Sequence, residues 1–375
     1  MSTEFEWSEE QRTLRGVVTD FCRRRTASTG DQAGFDRDTW TQLAAGLSVA
    51  GLTVDEELGG AGASLLEAGI VAEELGRTLL RTPLVPTVGL AVTALAHCGQ
   101  DSDARDALTR IAAGEAVATA ALADEQGILD PSKPPLAARE EDGVWYVDGV
   151  SGYVLEGGRA DLVLVHATGG GAEPMLLLVD AGASGLTRDE VVALDHGRTQ
   201  ARLAFDGVPA TRLVADRPVA EVVRAAVDAA ATLLALEQTG IAQAMLDLSV
   251  AHASTRMQFG RAIGSFQAVK HRIADMYVEV EHARSAAYHA LWALVHGADD
   301  PALASSLAFA TASEAARKVT RGTVQVHGGI GFTWEHAAHR YLKAAQANST
   351  LLGGDRLHSR RLAELVLAKG AEVGA

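Results

Sequence analysis

The chain has 375 residues, of which 47% are hydrophobic and 22% are charged. This composition is that of a globular protein, and the length suggests about two or three domains of roughly 150 residues each, so bulk disorder is excluded. The formal net charge of -15 argues against a general binder of nucleic acid or of anionic membranes. It still allows a local basic pocket for a phosphorylated ligand.

The cysteines and the start of the chain favour a reducing compartment. Cys22 and Cys98 are the only cysteines and lack metal-ligand spacing, so we predict neither a disulfide framework nor a metal site. The N-terminal residues are acidic and have no apolar stretch, unlike a signal peptide. The longest apolar run, 225–246, contains Asp228 and Glu237 and is too polar for a membrane span. We therefore expect a cytoplasmic protein.

Residues 1–115 have helical periodicity and predict an N-terminal helical domain. The predicted helices cover 5–25, 40–50, 65–79, 88–97 and 103–113. Ser8 is followed three residues later by Gln11, which is the pattern of a capping box at the start of the first helix. A glycine-rich loop at 56–64 separates the second and third helices.

Residues 116–216 change to short strand-like runs with turn signals between them. Asp142 and Gly143 lie between two such runs and predict a tight hairpin. Because no helical pattern separates the runs, this segment predicts a β domain rather than a βαβ array.

Residues 217–375 predict a bundle of unusually long helices. The predicted helices cover 219–255, 265–296 and 301–326, with a final helix over 356–369. Ser265 is the expected N-cap of the second long helix, and Asp300 followed by Pro301 opens the third. The glycines that follow His327 supply a stop signal for that helix.

Two segments of this last region carry the most specific pattern. They are RMQFGRAIGSFQAVKHRIADMY at 256–277 and QVHGGIGFTWEHAAHRYLK at 325–343. With them the chain resembles the acyl-CoA dehydrogenase family, and FEWSEEQRTLR, ELGGAG and EELGR extend the resemblance over nearly the whole chain. The resemblance implies an α+β fold with an N-terminal helical domain, a middle β-barrel-like domain and a C-terminal four-helix bundle.

The same resemblance implies FAD-dependent α,β-dehydrogenation of an acyl-CoA thioester. In the family a glutamate removes the α proton, and the β hydrogen leaves as hydride to the flavin. Because thioester α protons are weakly acidic, the base, the oxyanion donors and the hydride acceptor must be aligned together. An electron-transfer flavoprotein is a possible acceptor of the electrons.

One set of family FAD contacts is present in this sequence. The matching residues are Arg256, Phe259, Gln325, Gly328 and Gly329, which in the family reach a neighbouring subunit's FAD across an interface. A guanidinium can bridge a pyrophosphate, and glycines permit close approach of the backbone to a ligand. The alternative interpretation is that the two glycines only end a helix and that Phe259 only packs.

The family's contacts to the flavin ring are altered. The Trp-x-Thr segment corresponds to Tyr153-Val154-Leu155, and the Thr-Glu-Pro strand end corresponds to 124–126, which reads Asp-Glu-Gln. The catalytic glutamate position is occupied by Gly353, and the alternative base position on the first long bundle helix by Ala230. Both positions therefore lack a carboxylate.

Two nearby carboxylates are weak substitutes for the missing base. Asp355 is better interpreted as the N-cap of the final helix. Glu237 is better interpreted as a buried interhelical ion pair, since it lies about 10 Å along the axis from Ala230. We expect His327 to interact with a helix dipole, and Trp334 and His336 to pack within the bundle.

These observations favour a non-catalytic subunit. We expect an α2β2 heterotetramer with a second acyl-CoA dehydrogenase-like subunit, with FAD shared across the interface and half the usual number of flavins. The alternatives are a homo-oligomeric dehydrogenase with a relocated base and a flavin monooxygenase or oxidase of the same fold. A further alternative is a structural or acyl-CoA-binding partner without flavin contact.

Overall fold

The computed structural model describes residues 7–26, 34–171 and 173–373. Helices come first along the chain, strands follow, and long helices complete it. The N-terminal helices are α1 (Glu9–Thr26), α2 (Arg37–Leu47), α3 (Leu65–Thr78), α4 (Thr93–Ala96) and α5 (Ser102–Ala112), with a π-helical segment at Val85–Val92 before α4. The strands of the middle region are β1 (Ala118–Ala121), β2 (Leu136–Glu141), β3 (Val144–Leu155), β4 (Leu162–Thr168), β5 (Pro174–Asp180), β6 (Leu186–Val191) and β7 (Gln200–Leu213). The C-terminal elements are α6 (Val219–Thr255), β8 (Met257–Gln258), β9 (Arg261–Ala262), α7 (Gln267–His296), α8 (Pro301–His327), α9 (Ala338–Asn348) and α10 (Gly354–Val373).

The first helix starts with the predicted capping box. The Ser8 backbone N–H donates to Gln11 Oε1 at 3.0 Å, and the Gln11 N–H donates to Ser8 Oγ at 3.1 Å. These two bonds satisfy N–H groups that have no partner within the helix. The prediction of the capping box is therefore confirmed.

The middle strands close into a barrel-like sheet. Strand β4 pairs with both β2 and β5, and the path β2–β3–β7–β5 completes the ring. The hairpin between β2 and β3 turns at Asp142 and Gly143, which have φ values of 52° and 79°. Two successive positive φ values are typical of the type I′ turn, whose twist suits a two-residue hairpin.

The C-terminal helices α6, α7, α8 and α10 pack together as the predicted bundle. Asp300 is the N-cap of α8, because its carboxylate accepts from the Leu303 N–H at 3.1 Å. The prediction for Ser265 is wrong. Its hydroxyl donates to the Ala262 carbonyl at 2.7 Å, and α7 starts after Phe266 without a side-chain cap.

Helices α3 and α6 cross in backbone contact. A β-carbon on Gly240 would lie 2.0 Å from the Glu73 carbonyl oxygen, and one on Gly76 would lie 2.0 Å from the Glu237 carbonyl oxygen. Only glycine fits at either position, since a real β-carbon does not approach an atom so closely. The crossing fixes Glu237 at the junction of the N-terminal and C-terminal helices.

The division into domains at residues 115 and 216 stays a prediction. Both positions lie in connections, one between α5 and β1 and the other between β7 and α6. Across the ranges that the structure describes, we find no helix with the length and apolar character needed to span a bilayer.

Candidate functional site

Two chain segments that are distant in sequence meet at the ends of α6 and α8. His252, one turn before Arg256, stacks on His327, which directly precedes Gly328, with 4.2 Å between the ring centroids. The structure therefore brings together the two segments that carry the predicted FAD contacts. We call Arg256, Phe259, Gln325, Gly328 and Gly329 the donor surface.

The first half of the donor surface is a hairpin that projects from the bundle. Strands β8 and β9 pair through Met257–Ala262 and Gln258–Arg261. Phe259 and Gly260 form the turn with φ values of 51° and 77°. The Phe259 side chain is 90% exposed, so it does not pack in the core of its own chain.

The second half of the donor surface is the end of α8. Gly328 has φ 64° and ψ -141°, a conformation that favours glycine, and it ends the helix. A β-carbon on Gly328 or Gly329 would meet nothing within 4 Å. Gln325 is exposed on the preceding turn. The glycines therefore stop the helix and also leave an open backbone that a ligand can approach.

The donor surface is basic in an acidic protein. Residues 248–274 contain four lysines and arginines and no aspartate or glutamate. The Arg256 side chain is exposed, and none of the described residues forms an ion pair with it. A guanidinium that no described carboxylate neutralises fits a pyrophosphate ligand.

Large apolar side chains surround this basic surface. Phe332 is 80% exposed and Trp334 is 78% exposed. The expectation that Trp334 packs within the bundle is therefore wrong. Its ring lies under the Lys343 ammonium, 4.3 Å from the ring centroid, because the loop after α8 carries it outward. A group of exposed aromatic side chains is typical of a protein–protein interface.

A separate cavity lies between the middle sheet and the bundle. Its volume is about 270 Å³, and its lining includes Gln126, Tyr153, Leu155, Leu352 and Gly353. These are the positions that the family resemblance assigned to the flavin ring and to the catalytic base. None of the described residues that line the cavity carries a carboxylate, imidazole, amine or thiol.

Tyr153 is held in an unusual conformation at the mouth of this cavity. Its φ is 56°, and the β3–β7 pairing is irregular between Ser151 and Val154. Such bulges redirect a side chain out of the regular alternation of the strand. The ring lies against Gly127, where an added β-carbon would stand 2.8 Å from Tyr153 Cδ2.

The two positions that the resemblance assigns to the base differ in their surroundings. Gly353 lines the cavity, and Leu352, Gly353 and Gly354 have successive φ values of 52°, 86° and 65°. Ala230 is fully buried beside Gly89, where an added β-carbon would lie 2.7 Å from Ala230 Cα. Ala230 packs against the π-helical segment and is not part of the cavity lining.

Glu237 is the centre of a buried ion-pair network. It accepts from Arg198 at 2.5 Å, from Arg81 at 3.1 Å and from Asn348 Nδ2 at 3.1 Å, while Arg81 also pairs with Asp195 at 2.5 Å. Burial raises the pKa of Glu237, but Arg198, Arg81 and Asn348 outweigh it and leave the pKa below its ordinary value. Glu237 is therefore a buried ion pair, but it is not interhelical, because Arg81 and Arg198 both lie in connections between elements.

Asp355 also has a structural partner. The prediction that it is an N-cap is wrong, because α10 begins at Gly354 and places Asp355 within the first turn. Its carboxylate pairs with Arg317 of α8 at 2.6 Å. Burial raises the pKa of Asp355, with Arg317 and Ser313 opposing that shift. Neither Asp355 nor Glu237 lines the cavity.

Sequence reasoning missed the partners of Glu237. Arg81 follows α3, Arg198 lies in the connection between β6 and β7, and Asn348 ends α9, so no motif links them. The one available signal was that Glu237 lies in an apolar helix. A buried glutamate needs charged partners, so this position indicates an ion pair without identifying its partners. Within the described ranges, no group of three or more His, Cys, Asp or Glu side chains is placed to hold a metal ion.

The fold and the two sites define an acyl-CoA dehydrogenase-type flavoprotein scaffold. The N-terminal domain profile of the acyl-CoA dehydrogenase family matches residues 8–115, and its C-terminal domain profile matches residues 220–367. The acyl-CoA dehydrogenase IpdE2 of Mycobacterium tuberculosis is 34% identical over 360 residues, which cover 94% of this chain and 96% of that protein.

Solved structures agree with this assignment. A structure described as the Tcur3481-Tcur3483 steroid ACAD is similar with a TM-score of 0.85 and 32% identity, covering 97% of this chain and 99% of that one. The ChsE4-ChsE5 complex from Mycobacterium tuberculosis is similar with a TM-score of 0.85 and 28% identity, again covering 97% and 99%. The chain belongs to the acyl-CoA dehydrogenase family, a family of FAD-dependent oxidoreductases.

Proposed function

We propose that this chain is the subunit without a catalytic glutamate in a cytoplasmic α2β2 acyl-CoA dehydrogenase. The observation that carries the proposal is an asymmetry between the two sites. The donor surface is exposed, basic and open, whereas the chain's own cavity contains no group that can remove a proton.

The donor surface suits the nucleotide end of an FAD that is shared with a partner. Arg256 would hold the pyrophosphate, and Gly328 and Gly329 would let backbone N–H groups approach it. Phe259 would cover the nucleotide from the tip of its hairpin and exclude water. When bound, FAD supplies the acceptor for the hydride that leaves the β-carbon of the substrate.

The cavity supports a passive role in the chemistry. Removal of an α proton from a thioester requires a base within hydrogen-bond reach, about 2.6–3.2 Å. No carboxylate, imidazole, amine or thiol belongs to the described residues that line the cavity. The base would therefore come from the second subunit.

The substrate class follows from the same cavity. With Leu155 in place of the family's threonine and Gly353 in place of the glutamate, the cavity keeps an open volume of about 270 Å³. We propose a bulky acyl-CoA thioester as substrate, in keeping with the similarity to the steroid ACAD structure. An electron-transfer flavoprotein is the proposed electron acceptor.

A homo-oligomeric enzyme with a relocated base is less well supported. Glu237 is engaged by two arginines and Asn348, and Asp355 is paired with Arg317 of α8. Both carboxylates lie outside the cavity lining.

The test uses the complex that this chain forms with a second acyl-CoA dehydrogenase-like chain that carries the catalytic glutamate. Replacing the partner's catalytic glutamate by glutamine should abolish acyl-CoA oxidation by the complex while flavin binding persists. If oxidation continues in that complex at a rate above one hundredth of the original, this chain supplies a base and the proposal is wrong.

A further inference from the structure

Three histidine rings form a stack directly beneath the donor surface. His252 of α6 stacks on His327 of α8 at 4.2 Å, and His327 contacts His336 at 4.5 Å between ring centroids. Each ring belongs to a different segment, so the stack joins α6, the end of α8 and the loop before α9. The His252 and His327 rings are stacked with 27° between their planes, whereas the His327 and His336 rings are tilted by 47°.

One hydrogen bond at the histidine stack requires the His336 imidazole to be neutral. The Ala338 N–H donates to His336 Nδ1 at 3.2 Å. Ala338 is the first residue of α9, so the imidazole caps a helix N-terminus whose N–H groups lack partners within the helix. Protonation of Nδ1 would place one N–H against another and would put positive charge at the positive end of the helix dipole.

The groups that face the rings disfavour protonation as well. From α6 the stack faces Arg256, and from α9 it faces His339, with Arg340 and Lys343 further along that helix. On α8 the nearest charged residue before the stack is Arg321, which donates to Gln346 at 3.4 Å. The acidic residues nearest in the chain are Asp247, which pairs with Arg77 at 2.9 Å, and the exposed Glu335.

Burial and these neighbours lower two pKa values in the stack. The pKa of His252 is lowered by burial first and then by His327, Arg256 and His336. The pKa of His336 is lowered by burial first and then by His327 and His339. Because the folded state binds these protons less readily than the unfolded state, the contribution to stability is complete above the unfolded-state value near 6.5 and is lost as pH falls below it.

We propose that His336 is an acid-sensitive positioning residue that holds the loop between α8 and α9, and with it the donor surface, in place only while its imidazole is neutral. Acidification removes the cap of α9 and repels the stacked rings from one another. The loop then opens and releases whatever the donor surface holds. The opening itself depends only on this chain, whereas release of flavin rests on the proposed function.

Hydrogen exchange of the full chain between pH 7.5 and 5.5, corrected for intrinsic exchange rates, tests the opening. Protection of residues 336–342 should fall in the wild type by up to about tenfold per pH unit below the titration. His336→Asn keeps an acceptor on the same Cγ and does not titrate, so its protection should stay constant. The exposed His289→Asn on α7 is the matched control and should behave as the wild type does.

A second variant keeps the proposal testable if His336→Asn does not fold. His339→Asn removes a like charge that lowers the pKa of His336, so the loss of protection should begin at higher pH. Wild-type protection that stays constant over the whole range would overturn the proposal. So would a His336→Asn variant that loses protection as steeply as the wild type.

A parallel measurement on the complex separates this proposal from the proposed function. Flavin should be released over the pH range in which protection is lost, and His336→Asn should retain it. A complex that never contains flavin would contradict the proposed function but would leave the exchange result interpretable. Flavin retained at pH 5.5 while the loop is open would contradict the inference that opening of the loop releases the flavin.

Discussion

Gly353 lies directly against Leu357. A β-carbon on Gly353 would stand 2.2 Å from Leu357 Cδ2 and 2.9 Å from Leu357 Cβ, and the φ of Gly353 is 86°. The position that the resemblance assigns to the family's base therefore favours glycine in its backbone conformation and in the space around it. Restoring a carboxylate there requires the turn itself to change.

Gly353→Glu should accordingly not create a self-sufficient dehydrogenase. Strain at a positive φ costs about 1–3 kcal/mol, so the free energy of unfolding should fall by roughly that amount. Chemical denaturation measures the stability, and dye-linked oxidation of acyl-CoA by the chain alone measures activity. Gly46→Ala on α2 is the control, because its β-carbon would meet nothing within 4 Å and the helix favours alanine. Turnover gained by Gly353→Glu alone would contradict this account.

Arg256→Gln should weaken flavin binding by the complex. A charge-assisted bond to an ion contributes about 1.5–3 kcal/mol, which corresponds to roughly a tenfold to hundredfold loss of affinity. Arg224→Gln is a matched control, since this exposed arginine lies on the same helix about 48 Å away along the axis. Flavin titration of both complexes measures the difference, and equal affinities would argue against a role of Arg256 in binding.

Phe259→Ala should weaken association with the second subunit. Buried aromatic anchors at interfaces typically contribute about 2 kcal/mol or more, which is a change of about thirtyfold in the dissociation constant. Val192→Ala provides a control, because Val192 is 94% exposed but lies after β6 in the middle region. Analytical ultracentrifugation or surface plasmon resonance measures both, and an unchanged dissociation constant for Phe259→Ala would exclude the hairpin tip from the interface.

Glu237→Gln should destabilise the chain strongly. Removal of this charge leaves the buried Arg198 without its partner and costs about 3–5 kcal/mol. Asp247→Asn, which breaks an exposed ion pair on the same helix, should cost less than about 1 kcal/mol. Denaturant titrations compare the two variants. A Glu237→Gln variant as stable as the wild type would show that the network contributes little.

The ion-pair network of Glu237 also predicts that the folded chain loses stability at low pH. The pKa of Glu237 is lower in the folded chain than in the unfolded chain, so the folded state holds its proton less readily. Its contribution is complete above the unfolded value of about 4.3 and is lost as pH falls below that value. Thermal unfolding measured from pH 7 to pH 3 should show a steeper loss in the wild type than in Glu237→Gln.

Asp355→Asn should leave the turnover of the complex unchanged. The carboxylate pairs with Arg317 and does not line the cavity, so its removal affects packing between α8 and α10 rather than proton transfer. Steady-state kinetics of the complex provides the readout. A fall in kcat of more than about tenfold without loss of folding would revive Asp355 as a relocated base.

Local signals predicted most of the fold. The bounds of α6, the capping box at Ser8 and the N-cap Asp300 follow from periodicity and from short-range hydrogen bonding, which the sequence contains. The predictions that Ser265 and Asp355 are N-caps were wrong because backbone turns next to them determine where α7 and α10 begin. Before α10 the turn depends on positive φ values at Leu352, Gly353 and Gly354, and before α7 a short 3₁₀ turn at Ile263–Ser265 contains Ser265 itself.

The site was only partly predictable for a related reason. Family motifs identified Arg256, Gly328 and Gly353 as candidate site residues. In the structure Arg256 and Gly328 lie on the donor surface, and Gly353 lines the cavity. The partners of Glu237 and the histidine stack come from segments that are distant in sequence, so no local pattern links them. The prediction for Trp334 was wrong because sequence periodicity does not distinguish an exposed aromatic residue in a loop from one that packs in the bundle.

The amount of flavin per chain tests the central claim most directly. The chain should be colourless when purified alone, and its complex with the second subunit should contain one flavin for every two chains, read from the absorbance near 450 nm. An acyl-CoA-oxidising preparation of this chain alone with one flavin per chain would contradict the account.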